Sequence, residues 1–346
     1  MADPEILFDV KGAAGVITLS RPKALNALTL SMVRALHPQL AKWAGDPVIE
    51  RVIVKGAGER AFCAGGDIRA LYDWGMAGDP LAVGFYAEEY ALNTLIKEYP
   101  KPYIALMDGI TMGGGVGLSV HGSHRVATER LTFAMPETGI GLFPDVGGTY
   151  FLPRTPGQTG MWLALTGARL KAADALYAAI ATHHVTSDTL TALEQALCAA
   201  GIDVARVLRA HAADAGPSRL VGLQGDIDRL FAGASVEAIV AALDADGGDW
   251  AAAQAKTIRG KSPTSLKVAH RQMHDGAEAP FRACMQIEYR IVSRIMQGHD
   301  FYEGVRATLL DKDGAPKWQP DTLEAVSAQE IARIFAPADG GDIDLG

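Results

Sequence analysis

The sequence predicts a layered α/β domain with parallel strand pairing, followed by a largely helical second half. Three observations carry this: short β-branched and aromatic runs alternate with helix-period segments up to about residue 157, two glycine runs follow such strands, and helix-period segments take over afterwards. At 346 residues the chain exceeds the length at which one hydrophobic core stops growing, so a large lobe with an appendage is expected.

The elements follow in order. "EILFDV" (5–10), "GVITLS" (15–20) and "RVIVKG" (51–56) read as strands, each bounded by Gly, Pro or charge. Between the second and third, Leu28, Met32, Leu36, Leu40 and Trp43 recur at helical spacing; Thr29 is placed to cap, and Pro38 predicts a kink. "AFCAGGD" (61–67) then leads into a helix, and a second helix covers about 81–97. The strand "YIALMDG" (103–109), a glycine run with an apolar helix behind it, and strands near 124–128 and 131–134 complete the alternation. The stretch 188–260 is Ala-rich and helical, and a helix over 281–296 places Phe281, Met285, Glu288, Ile291 and Ile295 on one side. The expected division is a core over 1–187, a helical region over 188–336 and a disordered tail over 337–346.

Composition excludes several classes. The net charge of −8 and pI near 5.6 argue against a nucleic-acid partner. No apolar run is long enough for a bilayer span, so no membrane partner is expected. Cys63, Cys198 and Cys284 are odd in number and scattered, which favours a reducing compartment and gives no metal-site spacing. The first residues lack a basic start with an apolar core, so the mature chain is expected to begin here and to reside in the cytoplasm.

Two glycine stretches bear on chemistry. "GITMGGGVGL" fails the dinucleotide pattern, because Gly113-x-Gly115 requires glycine where Leu118 stands, and no Gly-Lys-Ser/Thr follows. Glycine nevertheless lets backbone approach a ligand, and the N–H groups after it are free to hold an oxygen that gains charge. "AFCAGGDIR" repeats the arrangement, so two turns could each give one donor to an oxyanion; a tight turn with no ligand is the competing reading. Cys63 reads as a small buried thiol rather than a nucleophile, and His121 and His124 as structural histidines.

The segment "AMPETGIGLFPDVGG" (134–148) sets Glu137 and Asp145 eight positions apart among apolar residues, prolines and glycines. A solvent loop would be less apolar, and such surroundings raise a carboxyl pKa toward that of a working base. Asp145 is alternatively a turn or helix cap.

At these residues the sequence resembles the crotonase (enoyl-CoA hydratase/isomerase) superfamily, and within it a hydrolase branch. The likeness runs through "RPKALNAL" (21–28), "AFCAGGDIR" (61–69), "ITMGGGVGLSVHG" (110–122), "FAMPETGIGLFPDVGG" (133–148), "KSPTSLK" (261–267) and "GHDFYEGVRA" (298–307). It implies a crotonase-type spiral of ββα units with a helical C-terminal region. Gly66 and Gly114 match the oxyanion-hole positions, Glu137 the catalytic glutamate, and Asp145 and Glu89 the remaining hydrolase site positions. Coenzyme A is implied along Ala24 and Leu25 and the turn of Ala64, Gly65, Asp67 and Ile68.

Hydratases carry a second glutamate where this chain has Gly117, which disfavours water addition to a double bond. The implied activity is hydrolysis of a short branched 3-hydroxyacyl-CoA thioester, which in the family belongs to valine breakdown. Hydratase or isomerase activity and non-catalytic acyl-CoA binding are the alternatives. No cofactor is implied, since coenzyme A belongs to the substrate, and a homo-oligomer is the implied assembly. Without that resemblance Glu89, beside Glu88 on a helix, reads as solvated, and Arg306 and Lys312 read as surface charges.

Overall fold

The computed structural model describes residues 4–346. Its strands are β1 (Ile6–Lys11), β2 (Ala14–Leu19), β3 (Arg51–Gly56), β4 (Ala61–Cys63), β5 (Tyr103–Met107), β6 (Ile110–Met112), β7 (His124–Ala127), β8 (Thr132–Ala134) and β9 (His183–His184). They form a six-stranded sheet in the order β1-β2-β3-β5-β7-β9 and a three-stranded sheet in the order β4-β6-β8. β1 pairs antiparallel with β2; every other pairing is parallel.

The order follows from the chain path. The passes β3–β4, β5–β6 and β7–β8 each give one strand to each sheet, and each pass moves one place along both. That advance is a spiral of repeated units. β3 and β5 are buried along most or all of their length, which suits a parallel sheet covered on both faces.

Helix Leu30–Gly45 begins at Thr29, whose hydroxyl accepts the Met32 N–H at 3.2 Å, and it continues through Pro38. After the glycine run the expected apolar helix shrinks to the single turn Gly114–Gly117, because glycine is a poor helix former.

The described residues divide into two compact units that interleave along the chain. The first takes its members from Met1–Asp67, Ala91–Ala134 and Arg169–Val221 and contains both sheets. Its core joins Val16, Ile53, Ile104, Leu106 and Val126 to Leu193, Leu197, Val204 and Leu208. Helices Leu190–Cys198 and Val204–His211 therefore complete the sheet core, and the expected cut at residue 187 would sever them from it. Arg51 of β3 is also buried here and donates to the Leu197 and Ala199 carbonyls at 2.8 and 2.7 Å.

The second unit comprises Ile68–Tyr90, Met135–Ala168 and Gly222–Gly346 and is helical. Its principal helices include Pro263–Gly276 and Phe281–Ile295. Ser262 caps the former by accepting the Ser265 N–H at 3.1 Å, with Pro263 in the first helical position. The segment 337–346, expected to be disordered, lies along helix Phe281–Ile295: Asp339 pairs with Arg294, Asp342 with Arg290, and Leu345 is buried. Its acidic residues complement a basic stripe that composition alone does not reveal.

Candidate active site

In the first unit, the turns after β4 and β6 leave neighbouring parallel strands at the same end. They are in backbone contact: a Cβ added to Gly115 would stand 2.1 Å from the Cys63 carbonyl oxygen. Gly65 and Gly113 have φ of +126° and +45°, conformations that glycine alone adopts readily. The N–H groups of Gly66 and Gly114 donate to no acceptor among the described residues, whereas those of Ala64 and Asp67 go to Leu25 and Leu28 carbonyls at 3.0 and 2.8 Å. Cys63 is buried beneath this turn, as expected of a packed thiol.

The segment carrying Ala24 and Leu25 is fastened to the same turn. Leu28 donates to the Gly65 carbonyl at 2.8 Å, and Arg21 pairs with Asp67 at 3.0 Å. Leu25 and Asn26 have φ of +53° and +56°, and the Asn26 amide holds the bend by donating to the Ala57 and Ala61 carbonyls at 3.0 and 2.8 Å. Ala24, Leu25, Ala64, Gly65 and Asp67 are thus brought together, and Ile68 opens helix Ile68–Met76.

In the second unit, four carboxyl groups share a buried environment: Glu89, Glu137, Asp145 and Glu288 are 2%, 5%, 4% and 0% exposed. Glu89 lies on the inward stripe Ala82, Phe85, Tyr86, Glu89 and Tyr90 of helix Leu81–Lys97, which corrects the solvated reading of that residue. Glu137 opens the 3-10 turn Glu137–Ile140 directly after Pro136. Asp145 accepts the Tyr90 hydroxyl at 3.1 Å.

Burial, reinforced by the mutual repulsion of these groups, lifts their pKa values. Burial and then Asp145 hold Glu89 and Glu137 well above the usual carboxylate range, with the nearby Lys261 ammonium opposing the rise at Glu137. Burial pushes Asp145 up to about 7 against the Tyr90 hydrogen bond, and burial with Asp145 pushes Glu288 up to about 8. Glu89 Oε1, Glu137 Oε2 and the Tyr86 hydroxyl are buried without a hydrogen-bond partner among the described residues. Buried polar groups are ordinarily hydrogen-bonded, so three idle atoms beside these carboxyls are unusual.

Of the alternatives for Asp145, the turn is met, since its carbonyl accepts the Gly148 N–H at 2.8 Å, and the side-chain cap is not. The side chain at the start of helix Gly148–Phe151 is that of Glu288, which accepts the Gly147 and Thr149 N–H groups at 2.8 and 2.9 Å. Sequence reasoning placed Glu288 on the inward helix face without recognising it as part of the cluster; a carboxyl on an apolar stripe was the available signal. Tyr86, Tyr90 and Lys261 were likewise missed. Arg306 is engaged with Glu303, Asp311 and Asp313 and Lys312 is exposed, so both are surface charges.

The family model described as enoyl-CoA hydratase/isomerase matches residues 14–335. The chain belongs to the enoyl-CoA hydratase/isomerase family. Its spiral of ββα units with a helical C-terminal region is accordingly the crotonase-type fold. Curated relatives named "3-hydroxyisobutyryl-CoA hydrolase, mitochondrial" include one from Danio rerio, 53% identical over 99% of this chain and 92% of that protein. The one from Homo sapiens is 48% identical over 99% of this chain and 91% of its own. A solved structure titled as a carnitinyl-CoA dehydratase from Mycobacterium thermoresistibile is 41% identical, with a TM-score of 0.94 over 98% of each chain. Another, titled as an enoyl-CoA hydratase from Rhodobacter sphaeroides 2.4.1, is 41% identical with a TM-score of 0.92 over 99% of this chain and 100% of that one.

The cytoplasmic setting is overturned by these family members, whose names place them in mitochondria. Free, scattered thiols argue against an oxidising setting and do not separate one reducing compartment from another. Among the described residues no helix is long and apolar enough to cross a membrane.

Proposed function

We propose that this chain hydrolyses the thioester of 3-hydroxyisobutyryl-CoA, and of 3-hydroxypropionyl-CoA, to the free hydroxy acid and coenzyme A. The observation that carries this is the nearly full-length likeness to curated relatives named for that hydrolysis. The site chemistry agrees with it. The N–H groups of Gly66 and Gly114 would donate to the thioester oxygen as it becomes negative, each lowering the barrier by about 2.7–4 kcal/mol.

Glu137, its proton affinity raised by burial, either takes a proton from the attacking water or, as the carboxylate, attacks the carbonyl carbon and expels the coenzyme A thiolate, giving a mixed anhydride that water then cleaves to the hydroxy acid and free Glu137. In the first route water oxygen bonds to the carbonyl carbon, the C–S bond breaks, and the proton held by Glu137 passes to the departing sulfur. A thiol with a pKa of about 8.5 leaves readily, so one principal carboxyl suffices. Asp145 and Glu89 receive the 3-hydroxyl or orient the water. Ala24, Leu25, Ala64, Gly65, Asp67 and Ile68 would line the coenzyme A path; coenzyme A enters as part of the substrate, and no further cofactor is called for. The assembly proposed is a homo-oligomer, which light scattering would test.

The titles of the two solved structures favour a second reading, hydration of an enoyl-CoA. Against it, the buried turn Gly114–Gly117 offers no carboxyl at Gly117 to share the water chemistry. The test is free-thiol release from 3-hydroxyisobutyryl-, 3-hydroxypropionyl- and crotonyl-CoA by wild type and Glu137→Gln. Release from the 3-hydroxyacyl thioesters, lowered about 10²–10⁴-fold in the variant, is expected. No release from either, or release undiminished by the substitution, would refute the mechanism; loss of the crotonyl chromophore without thiol release would support hydration.

A further inference from the structure

Asp145 sits on a backbone that would not hold its shape unaided. The next residue, Val146, is β-branched yet has φ of +48°, followed by Gly147 at +90°. A side chain in that region costs on the order of 1–3 kcal/mol and persists only where the surroundings over-determine it.

Two helices supply that constraint. From Phe281–Ile295, Glu288 accepts the Gly147 N–H through Oε2 at 2.8 Å and the Thr149 N–H through Oε1 at 2.9 Å. From Pro263–Gly276, the Gln272 amide donates to the Pro144 carbonyl at 2.6 Å and the Thr149 hydroxyl at 3.1 Å. Gly276 allows this close seating, since a Cβ there would lie 1.9 Å from the Thr149 carbonyl oxygen. The loop is therefore gripped on both sides of Asp145.

We propose that Glu288 is a positioning residue, which fixes the Asp145 carboxyl for the reaction by holding the Val146–Thr149 backbone with both of its oxygens. This rests on the role given to Asp145 in the proposed hydrolysis. The choice of residue is informative. A carboxyl buried beside Asp145 is electrostatically unfavourable, yet only a carboxyl presents two acceptor oxygens to two N–H groups; a glutamine would turn its NH₂ toward one of them.

The experiment is a double-substitution cycle on the full chain, following thiol release from 3-hydroxyisobutyryl-CoA with Glu288→Gln, Asp145→Asn and the pair, and melting each protein as a control for folding. A catalytic group displaced by about 1 Å loses up to 10²-fold, so Glu288→Gln is expected to lower kcat/KM about 10–100-fold. In the Asp145→Asn background it should produce no further loss. Activity of Glu288→Gln within about twofold of wild type, or losses that multiply in the pair, would overturn the positioning role. Undiminished activity of Asp145→Asn, with Glu137→Gln inactive, would instead overturn the role of Asp145 while leaving the hydrolysis standing. If Glu288→Gln fails to fold, Gln272→Leu loosens the opposite side of the loop and enters the same cycle with the same expectations.

Discussion

Replacing Asp145 with asparagine should stabilise the folded protein at alkaline pH, by an amount that shrinks as the pH falls. The side chain is 4% exposed, and burial lifts its pKa from 3.8 to about 7. A carboxyl whose folded pKa is raised binds more protons folded than unfolded, so it destabilises progressively across the window from 3.8 to about 7 and fully above it. At about 1.4 kcal/mol per pH unit the penalty is at most about 4 kcal/mol at pH 8 and about 1 kcal/mol at pH 4.5. Asparagine removes the charge, keeps the shape, and still offers an oxygen to the Tyr90 hydroxyl. For a chain of this size about 2 °C per kcal/mol is expected, so the variant should melt higher by up to about 8 °C at pH 8 and by no more than about 2 °C at pH 4.5. Thermal unfolding followed by circular dichroism across pH 4.5–9 measures the gap directly. A variant that melts below wild type at pH 8, or a gap independent of pH, would show that Asp145 is not a burial-strained carboxyl.

Two further outcomes follow from the same geometry. Gly115→Ala places a methyl 2.1 Å from the Cys63 carbonyl, forcing the two glycine turns apart; a stability loss of about 1–3 kcal/mol by denaturant titration and a fall in kcat/KM of up to about 10²-fold are expected, and retained activity would refute the role of the turns. Because burial holds the Glu137 pKa well above the usual carboxylate range, kcat/KM should rise with pH until that group is ionised, with the acid limb lying well above pH 4.5; a profile already flat from pH 5 upward would contradict an elevated base.

Much was legible in the sequence because local rules agree with the fold at those positions. β-branched runs became strands, Thr29 became a cap, and the glycine turns stand at the ends of neighbouring strands β4 and β6. Glu137 and Asp145 were visible because a carboxyl in an apolar, proline-rich stretch needs an explanation. Glu89 was singled out only by the family resemblance, although Ala82, Phe85, Tyr86, Glu89 and Tyr90 follow helical spacing; its pairing with Glu88 hid that it lies on the inward face. The sheet covered by the helices in 190–211 was hidden for a similar reason, since their helix-period residues announce an apolar face without naming its partner.

The sequence by itself determined the elements, the turns and the chemical types placed at the site, since these depend on spacing and on neighbours a few residues away. Only the tertiary structure decided how Glu288 and Gln272, more than a hundred positions further on, grip the loop of Asp145, and how four carboxyls come to share one dry environment. Those properties are set by desolvation and by hydrogen bonds between distant segments, and neither quantity exists until the chain has folded.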